Sequence, residues 1–223
     1  MFDLIDQQPG FIIINKHPQV SVHKDNQQSS LLMELQQQLG FEHLYLVHRL
    51  DKMTSGLLLL ATSQRAASEL SQAFAQRKVE KFYLALSDKK PKKKQGLIKG
   101  DMSKSRRSAW KLLPTNINPA MTQFFSAAAD GQRLFLCKPK TGKTHQIRVA
   151  LKSIGSPIIG DAIYNPSSVA DRGYLHAYGL AFEFQGQHYQ YRNSPLGNGE
   201  LWTSFEQQIT QWASPELLNW PKV

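Results

Sequence analysis

The stretch Leu44-Tyr45-Leu46-Val47-His48-Arg49-Leu50-Asp51-Lys52-Met53-Thr54-Ser55-Gly56-Leu57-Leu58-Leu59-Leu60-Ala61 sets a polar cluster between two short apolar runs. Runs of that length bounded by turn residues read as buried strands, which makes His48 to Gly56 a loop held between them. Two readings of the loop are open. In one, Arg49 and Asp51 form a local ion pair and Thr54-Ser55-Gly56 is an ordinary turn whose hydroxyls satisfy backbone donors. In the other, the Asp51 carboxylate is kept charged and nucleophilic by His48, Arg49 and Lys52 around it.

Outward from this loop the pattern continues as mixed structure. Leu31, Leu32, Leu35 and Leu39 recur at helical spacing after Ser29-Ser30, with Gly40 as the C-terminal cap. Ala66, Ala67, Leu70, Ala73 and Phe74 form the apolar stripe of a second helix between Thr62-Ser63 and Arg77-Lys78. A third is predicted over Leu201, Trp202, Phe205, Ile209 and Trp212, stopped by Pro215. Strands are predicted at Phe11–Asn15, Leu57–Ala61, Phe82–Leu86, Leu134–Lys138, Thr144–Leu151 and Ala181–Phe184, the last joined by Gln185-Gly186 to a hairpin partner at His188–Tyr191. Strands outnumber helices and do not alternate with them. The expected class is therefore α+β, a single domain over 1–223 with a mixed, largely antiparallel central sheet and an active-site cleft across it.

The chain has 223 residues, 41% of them hydrophobic, which is globular composition. Its formal charge of +10 points to a polyanionic partner, with nucleic acid the first candidate. The excess is local. Thirteen basic and three acidic residues lie between Arg77 and Lys111, leaving fourteen of each elsewhere. Lysines alone would read as a solvated loop, and Lys89 to Lys94 is expected to be one; Arg106, Arg107, Tyr83, Trp110 and nearby hydroxyls are the mixture that grips phosphates. A lone cysteine, Cys137, excludes an internal disulfide and points to the cytoplasm. The early apolar run Phe11–Ile14 is far too short to span a membrane.

Thr141-Gly142-Lys143-Thr144-His145-Gln146-Ile147-Arg148-Val149-Ala150-Leu151 is the second informative stretch. Read with a period of two, it places Arg148 opposite the apolar face of a strand, either as a surface arginine or as a fixed guanidinium for a carboxylate or phosphate. Cys137 to Thr144 also imitates a phosphate-binding loop, yet Cys137 replaces the required first glycine and the expected strand is the wrong successor. The seven histidines include no HExxH pair and no thiolate set exists, so no metal is expected.

His48-Arg49-Leu50-Asp51 with Thr54-Ser55-Gly56-Leu57-Leu58-Leu59 resembles the catalytic signature of the RluA family of pseudouridine synthases. Asn15-Lys16-His17-Pro18 with Val22-His23, Lys81-Phe82-Tyr83-Leu84-Ala85, Thr141 to Arg148 followed by Gly155, Pro157, Ile158, Gly160-Asp161 and Tyr164, and Leu175-His176-Ala177 resemble further blocks in the same order. The likeness runs from about Gly10 to Phe184.

The resemblance implies an isomerase that converts uridine in tRNA or ribosomal RNA to pseudouridine without a cofactor, as a monomer. It is expected to be the form without an N-terminal S4 RNA-binding domain. Asp51 becomes the catalytic carboxylate, Arg148 its ion-pair partner at hydrogen-bond distance, and Tyr83 the ring stacked on the target base and the base for its C5 proton. Arg49 takes the place of the extruded nucleotide. His48, Thr54, Lys81, Lys143, His145 and Gln146 fall at substrate-facing positions, and Arg106 and Arg107 on the RNA phosphates. Departures at Met53, Ala150, Lys143 and Lys24 leave the target open. Two rivals stand beside this reading. A non-catalytic RNA-binding protein on the same fold explains the charge but gives Asp51 no task. A phosphate-loop nucleotidase explains Gly142-Lys143-Thr144 alone.

Overall fold

A computed structural model describes residues 1–22, 31–106 and 108–222. The expectations placed on His23, Lys24, Ser29-Ser30 and Arg107 lie outside the described residues.

The strands are β1 (Phe2–Gln8), β2 (Phe11–Lys16), β3 (Tyr45–Leu46), β4 (Ser55–Ala61), β5 (Glu80–Ser87), β6 (Gln95–Gly100), β7 (Met102–Lys104), β8 (Trp110–Leu112), β9 (Ala120–Ala129), β10 (Gln132–Pro139), β11 (Leu175–Phe184) and β12 (Gln187–Arg192). The helices are α1 (Leu31–Leu39), α2 (Gln64–Ala75), α3 (Gln146–Ser153) and α4 (Glu206–Gln211), with 3₁₀ turns at Glu200–Phe205 and Pro215–Leu217. The class is α+β, as the segregated pattern of apolar runs implies. The chain divides into two compact units, Met1–Glu80 with Gly179–Asn193, and Lys81–Tyr178 with Ser194–Val223.

In the first unit β2 pairs antiparallel with β1 on one side and β4 on the other, from Phe11 opposite Ala61 to Lys16 opposite Gly56. Both faces of β2 and β4 are covered, which is why their sequences are continuous rather than alternating apolar runs. One face packs Phe11, Ile13, Leu57, Leu59 and Ala61 against Ala66 and Leu70 of α2 and Leu180, Phe182 and Phe184 of β11. Phe11 meets Phe182 and Phe184 edge-on at 5.3 and 5.6 Å. Each such buried side chain contributes about 1.5–3 kcal/mol. Helix α2 starts where Ser63 caps it, its hydroxyl accepting from the Ala66 amide. The β11–β12 hairpin turns at Gln185-Gly186, both left-handed as a type I′ turn requires.

In the second unit β10 lies between β5 and β9, with Tyr83 opposite Cys137 and Phe124 opposite Cys137 on the other side. β9 continues to β6, and β7 with β8 forms a separate two-stranded ribbon, Lys104 opposite Trp110. The β9–β10 turn is Asp130-Gly131, again left-handed at both residues.

Three expectations change. Thr144–Leu151 is not a strand: His145 turns left-handed at φ 56° and α3 begins at Gln146. Every residue from Gln146 to Leu151 is buried, and over so short a buried helix a period of two and a period of 3.6 look alike. The helix predicted from Leu201 to Trp212 divides into a 3₁₀ turn and α4, and Pro215 also opens the turn Pro215–Leu217. Strands β1, β6, β7, β8 and β9 carry too little alternation to have been singled out, whereas β3 lies within the apolar run before the His48 loop.

Candidate active site

The first unit holds Asp51 on the loop between β3 and β4. β3 pairs with β4 only at Tyr45–Ala61 and Leu46–Leu60. Where that ladder stops, the His48 imidazole replaces it, its Nε2 accepting the Leu59 amide at 3.0 Å while the ring stacks on Phe74 at 4.5 Å. Asp51 itself opens a tight turn, its carbonyl accepting the Thr54 amide at 3.0 Å. Leu50, Met53 and Thr54 on either side are buried, Asp51 is half-buried, and Arg49 and Lys52 are exposed.

A residue that sequence reasoning gave no site role fastens this loop. Lys16, the last residue of β2, is fully buried, and its ammonium donates to the carbonyls of His17 at 3.0 Å, Val20 at 2.9 Å and Lys52 at 3.3 Å. A buried ammonium is tolerable when carbonyls satisfy it, and here one of them belongs to the residue after Asp51. The only signal in the sequence was the Asn15-Lys16-His17-Pro18 block.

The second unit holds the other candidates. Lys81 and Tyr83, two apart on β5, share a strand face and are both half-buried. Burial lowers the Lys81 pKa. Arg148 in α3 is buried, and Asp161, fully enclosed, takes its Nε at 2.7 Å and its Nη2 at 2.8 Å in a bidentate pair. Asp161 also accepts the amides of Ile163 and Tyr164. The guanidinium lies 5.1 Å from the centre of the Tyr164 ring. The chain reaches Asp161 through Gly160, left-handed at φ 72°, where a Cβ would stand 1.9 Å from the Arg172 carbonyl oxygen.

Gln146, assigned to the substrate from sequence, is a clasp of the fold. Its Oε1 accepts the Thr141 hydroxyl at 2.7 Å and the Lys143 amide at 3.0 Å, and its Nε2 donates to the Met121 carbonyl and the Thr122 hydroxyl at 3.0 Å each. Those four bonds are the full capacity of a carboxamide. The same clasp disposes of the phosphate-loop reading on new grounds. A helix does follow the turn, contrary to expectation, but the Lys143 amide is bound to Gln146 and the Lys140 amide to the Met121 carbonyl. Two of the amides such a loop would turn to a phosphate are taken, and Cys137 sits inside β10.

Lys143 is half-buried beside Asp101, and His145 places Nδ1 3.0 Å from the Tyr164 hydroxyl. Arg106 is exposed at the turn of the β7–β8 ribbon, whose exposed Lys104 and Lys111 extend the basic surface. The structure thus gathers His48, Asp51 and Thr54 on one loop, and Lys143, His145, Gln146 and Arg148 on one turn and helix. Among the described residues no three His, Cys, Asp or Glu side chains group as metal ligands would. No described helix is long and apolar enough to cross a membrane.

The comparisons with known proteins agree with one another. Residues 10–153 match the family model described as RNA pseudouridylate synthase. A Haemophilus influenzae protein described as an uncharacterized RNA pseudouridine synthase is 49% identical over 220 residues, 96% of this chain and 98% of that one. The ribosomal large subunit pseudouridine synthase C of Rickettsia bellii is 43% identical over 124 residues, 53% of this chain and 41% of that protein. Human RNA pseudouridylate synthase domain containing 1 shares the fold, with a TM-score of 0.76 at 24% identity over 87% of this chain and 84% of that one. The fold is that of a pseudouridine synthase. The chain belongs to the RNA pseudouridine synthases of the RluA type and is an isomerase that acts on RNA.

Proposed function

We propose that Asp51 is the catalytic carboxylate of uridine isomerisation in tRNA or ribosomal RNA. The observation that carries the assignment is the way its loop is fastened: Lys16 through the Lys52 carbonyl, His48 through the Leu59 amide, and the Asp51–Thr54 turn all fix the main chain at one half-buried acid. Fixing a reacting group before substrate arrives removes an orientational cost from the chemical step. The carboxylate acts at the sugar, as nucleophile or as base. The N1–C1′ bond breaks with its electron pair going to the base, the base turns, C5 bonds to C1′, the C5 proton leaves and the freed N1 takes up a proton.

Arg148 serves as the cationic partner of that carboxylate, because a guanidinium cannot lose its charge and Asp161 holds this one in a single orientation. Tyr83 stacks on the target base and takes the C5 proton, and Arg49 fills the place of the extruded nucleotide. Lys81, Lys143 and His145 face the substrate, and the ribbon with Arg106 holds phosphates. Ribosomal RNA is favoured by the names of the Rickettsia relatives. The test is Asp51→Asn in single-turnover tritium release from C5-labelled uridine RNA. The expected outcome is loss of isomerisation with RNA affinity within about twofold of the parent; a variant that keeps a sizeable fraction of the rate removes Asp51 from the chemistry. Mapping pseudouridines in RNA from cells with and without the protein identifies the target.

A further inference from the structure

Tyr164 has three separate engagements, all inside the second unit. Its hydroxyl accepts the main-chain N–H of Trp110, the first residue of β8, at 2.8 Å. The same hydroxyl lies 3.0 Å from Nδ1 of His145, and the two rings meet edge-on with centroids 5.7 Å apart. Its ring lies under the Arg148 guanidinium, and its amide donates to Asp161, the carboxylate that grips Arg148. One residue therefore touches the turn end of the basic ribbon, where Trp110 stands opposite Lys104, the residue at the head of α3, and the guanidinium one turn further along that helix.

His145 marks this as a built arrangement. It is held at φ 56°, a left-handed conformation that a residue with a Cβ adopts only when its surroundings enforce it, and it carries no side-chain cap for the helix it precedes. The strained turn delivers the imidazole to the Tyr164 hydroxyl, and it lets α3 begin where Arg148 meets Asp161.

We propose that Tyr164 is a positioning residue of the isomerisation. Its hydroxyl ties the turn end of the ribbon to the head of α3, so that RNA held on the ribbon and the Arg148 guanidinium keep one fixed separation. The hydroxyl touches no reacting atom; it acts through Trp110 and His145. This rests on the reading of the site given above, in which the ribbon carries phosphates and Arg148 serves the catalytic carboxylate.

Tyr164→Phe tests it, because the change removes only the hydroxyl and leaves the ring under Arg148 and the amide on Asp161. The expected result is a fall of about tenfold in the single-turnover rate on saturating RNA, with RNA affinity within twofold of the parent. In the RNA-free protein, exchange of the Trp110 amide should quicken about tenfold, and the His145 ring nitrogen resonances should shift. An unchanged rate, or a loss of rate matched by the loss of folded protein or of RNA affinity, overturns the proposal. So does an unchanged Trp110 exchange rate, a readout that needs no turnover. If the parent protein itself fails to release tritium, the assigned chemistry falls, and the amide exchange still decides whether the hydroxyl joins ribbon and helix.

Discussion

The turn and helix from Thr141 to Ser153 and the ribbon from Met102 to Leu112 are both rich in cations, yet Arg148 in the first and the cations of the second are treated in opposite ways. Arg148 is buried, paired through two nitrogens and backed by a ring. Arg106, Lys104 and Lys111 are exposed. A charge that must meet one atom is worth desolvating and clamping, whereas a charge that must follow a flexible phosphate chain keeps its hydration and freedom. Total charge, which the sequence displays openly, says nothing about this division.

The largest expected effect comes from attacking the clamped side. Asp161→Asn leaves the Arg148 guanidinium buried without its counter-charge, and urea unfolding should show a loss of about 3–5 kcal/mol. A loss below about 1 kcal/mol would mean that the two regions are not so different after all. On the ribbon, Arg106→Gln should leave stability within about 0.5 kcal/mol while lowering the salt slope of RNA binding by about 0.7–0.9, the share of one phosphate contact. An unchanged slope would place the phosphate contacts elsewhere. The smallest effect concerns the loop that follows the ribbon. Asp101 accepts the amides of Ile117 and Asn118, and these bonds, the Ile117 amide foremost, hold its carboxyl below the usual carboxylate range. With a folded pKa below the unfolded one, this anchoring is fully present at neutral pH and is lost only as pH falls through the lowered value. The Ile117 and Asn118 amide resonances should therefore stay fixed from pH 7 to about 4.5 and move only in stronger acid.

The contrast also explains what could be read in the sequence. β2 and β4 were legible because both faces are buried, which leaves unbroken apolar runs, and α2 because Ser63 and the stripe from Ala66 to Phe74 obey local rules. The Asp130-Gly131 turn is an equally local signal, and it marks the β9–β10 hairpin. α3 differs from the expected strand because its start depends on a histidine in the left-handed region, a conformation uncommon outside glycine and one that sequence periodicity does not show. Asp51 and Arg148 stand out from the residues themselves as one of two readings each, and their catalytic roles, with that of Tyr83, come from a family resemblance. Lys16, Asp161 and Tyr164 stand within its blocks with no role legible there, since a lysine that binds three carbonyls and an aspartate that receives a guanidinium show their work only once distant chain segments meet.

The ribbon is closed at its base by main-chain bonds: the Leu113 amide donates to the Asp101 carbonyl at 2.7 Å and the Asp101 amide to the Thr115 carbonyl at 2.8 Å. Gly100, just before it, passes so near the Leu113 carbonyl oxygen that a Cβ there would come within 2.2 Å. Backbone closure makes no demand on the side chains beyond it. On the proposed role of the ribbon, selection can therefore recharge the tip while the strands that enter and leave keep their places and Trp110 stays on Tyr164, and exchanging 105–109 between relatives would be a route by which one isomerase scaffold acquires a new RNA.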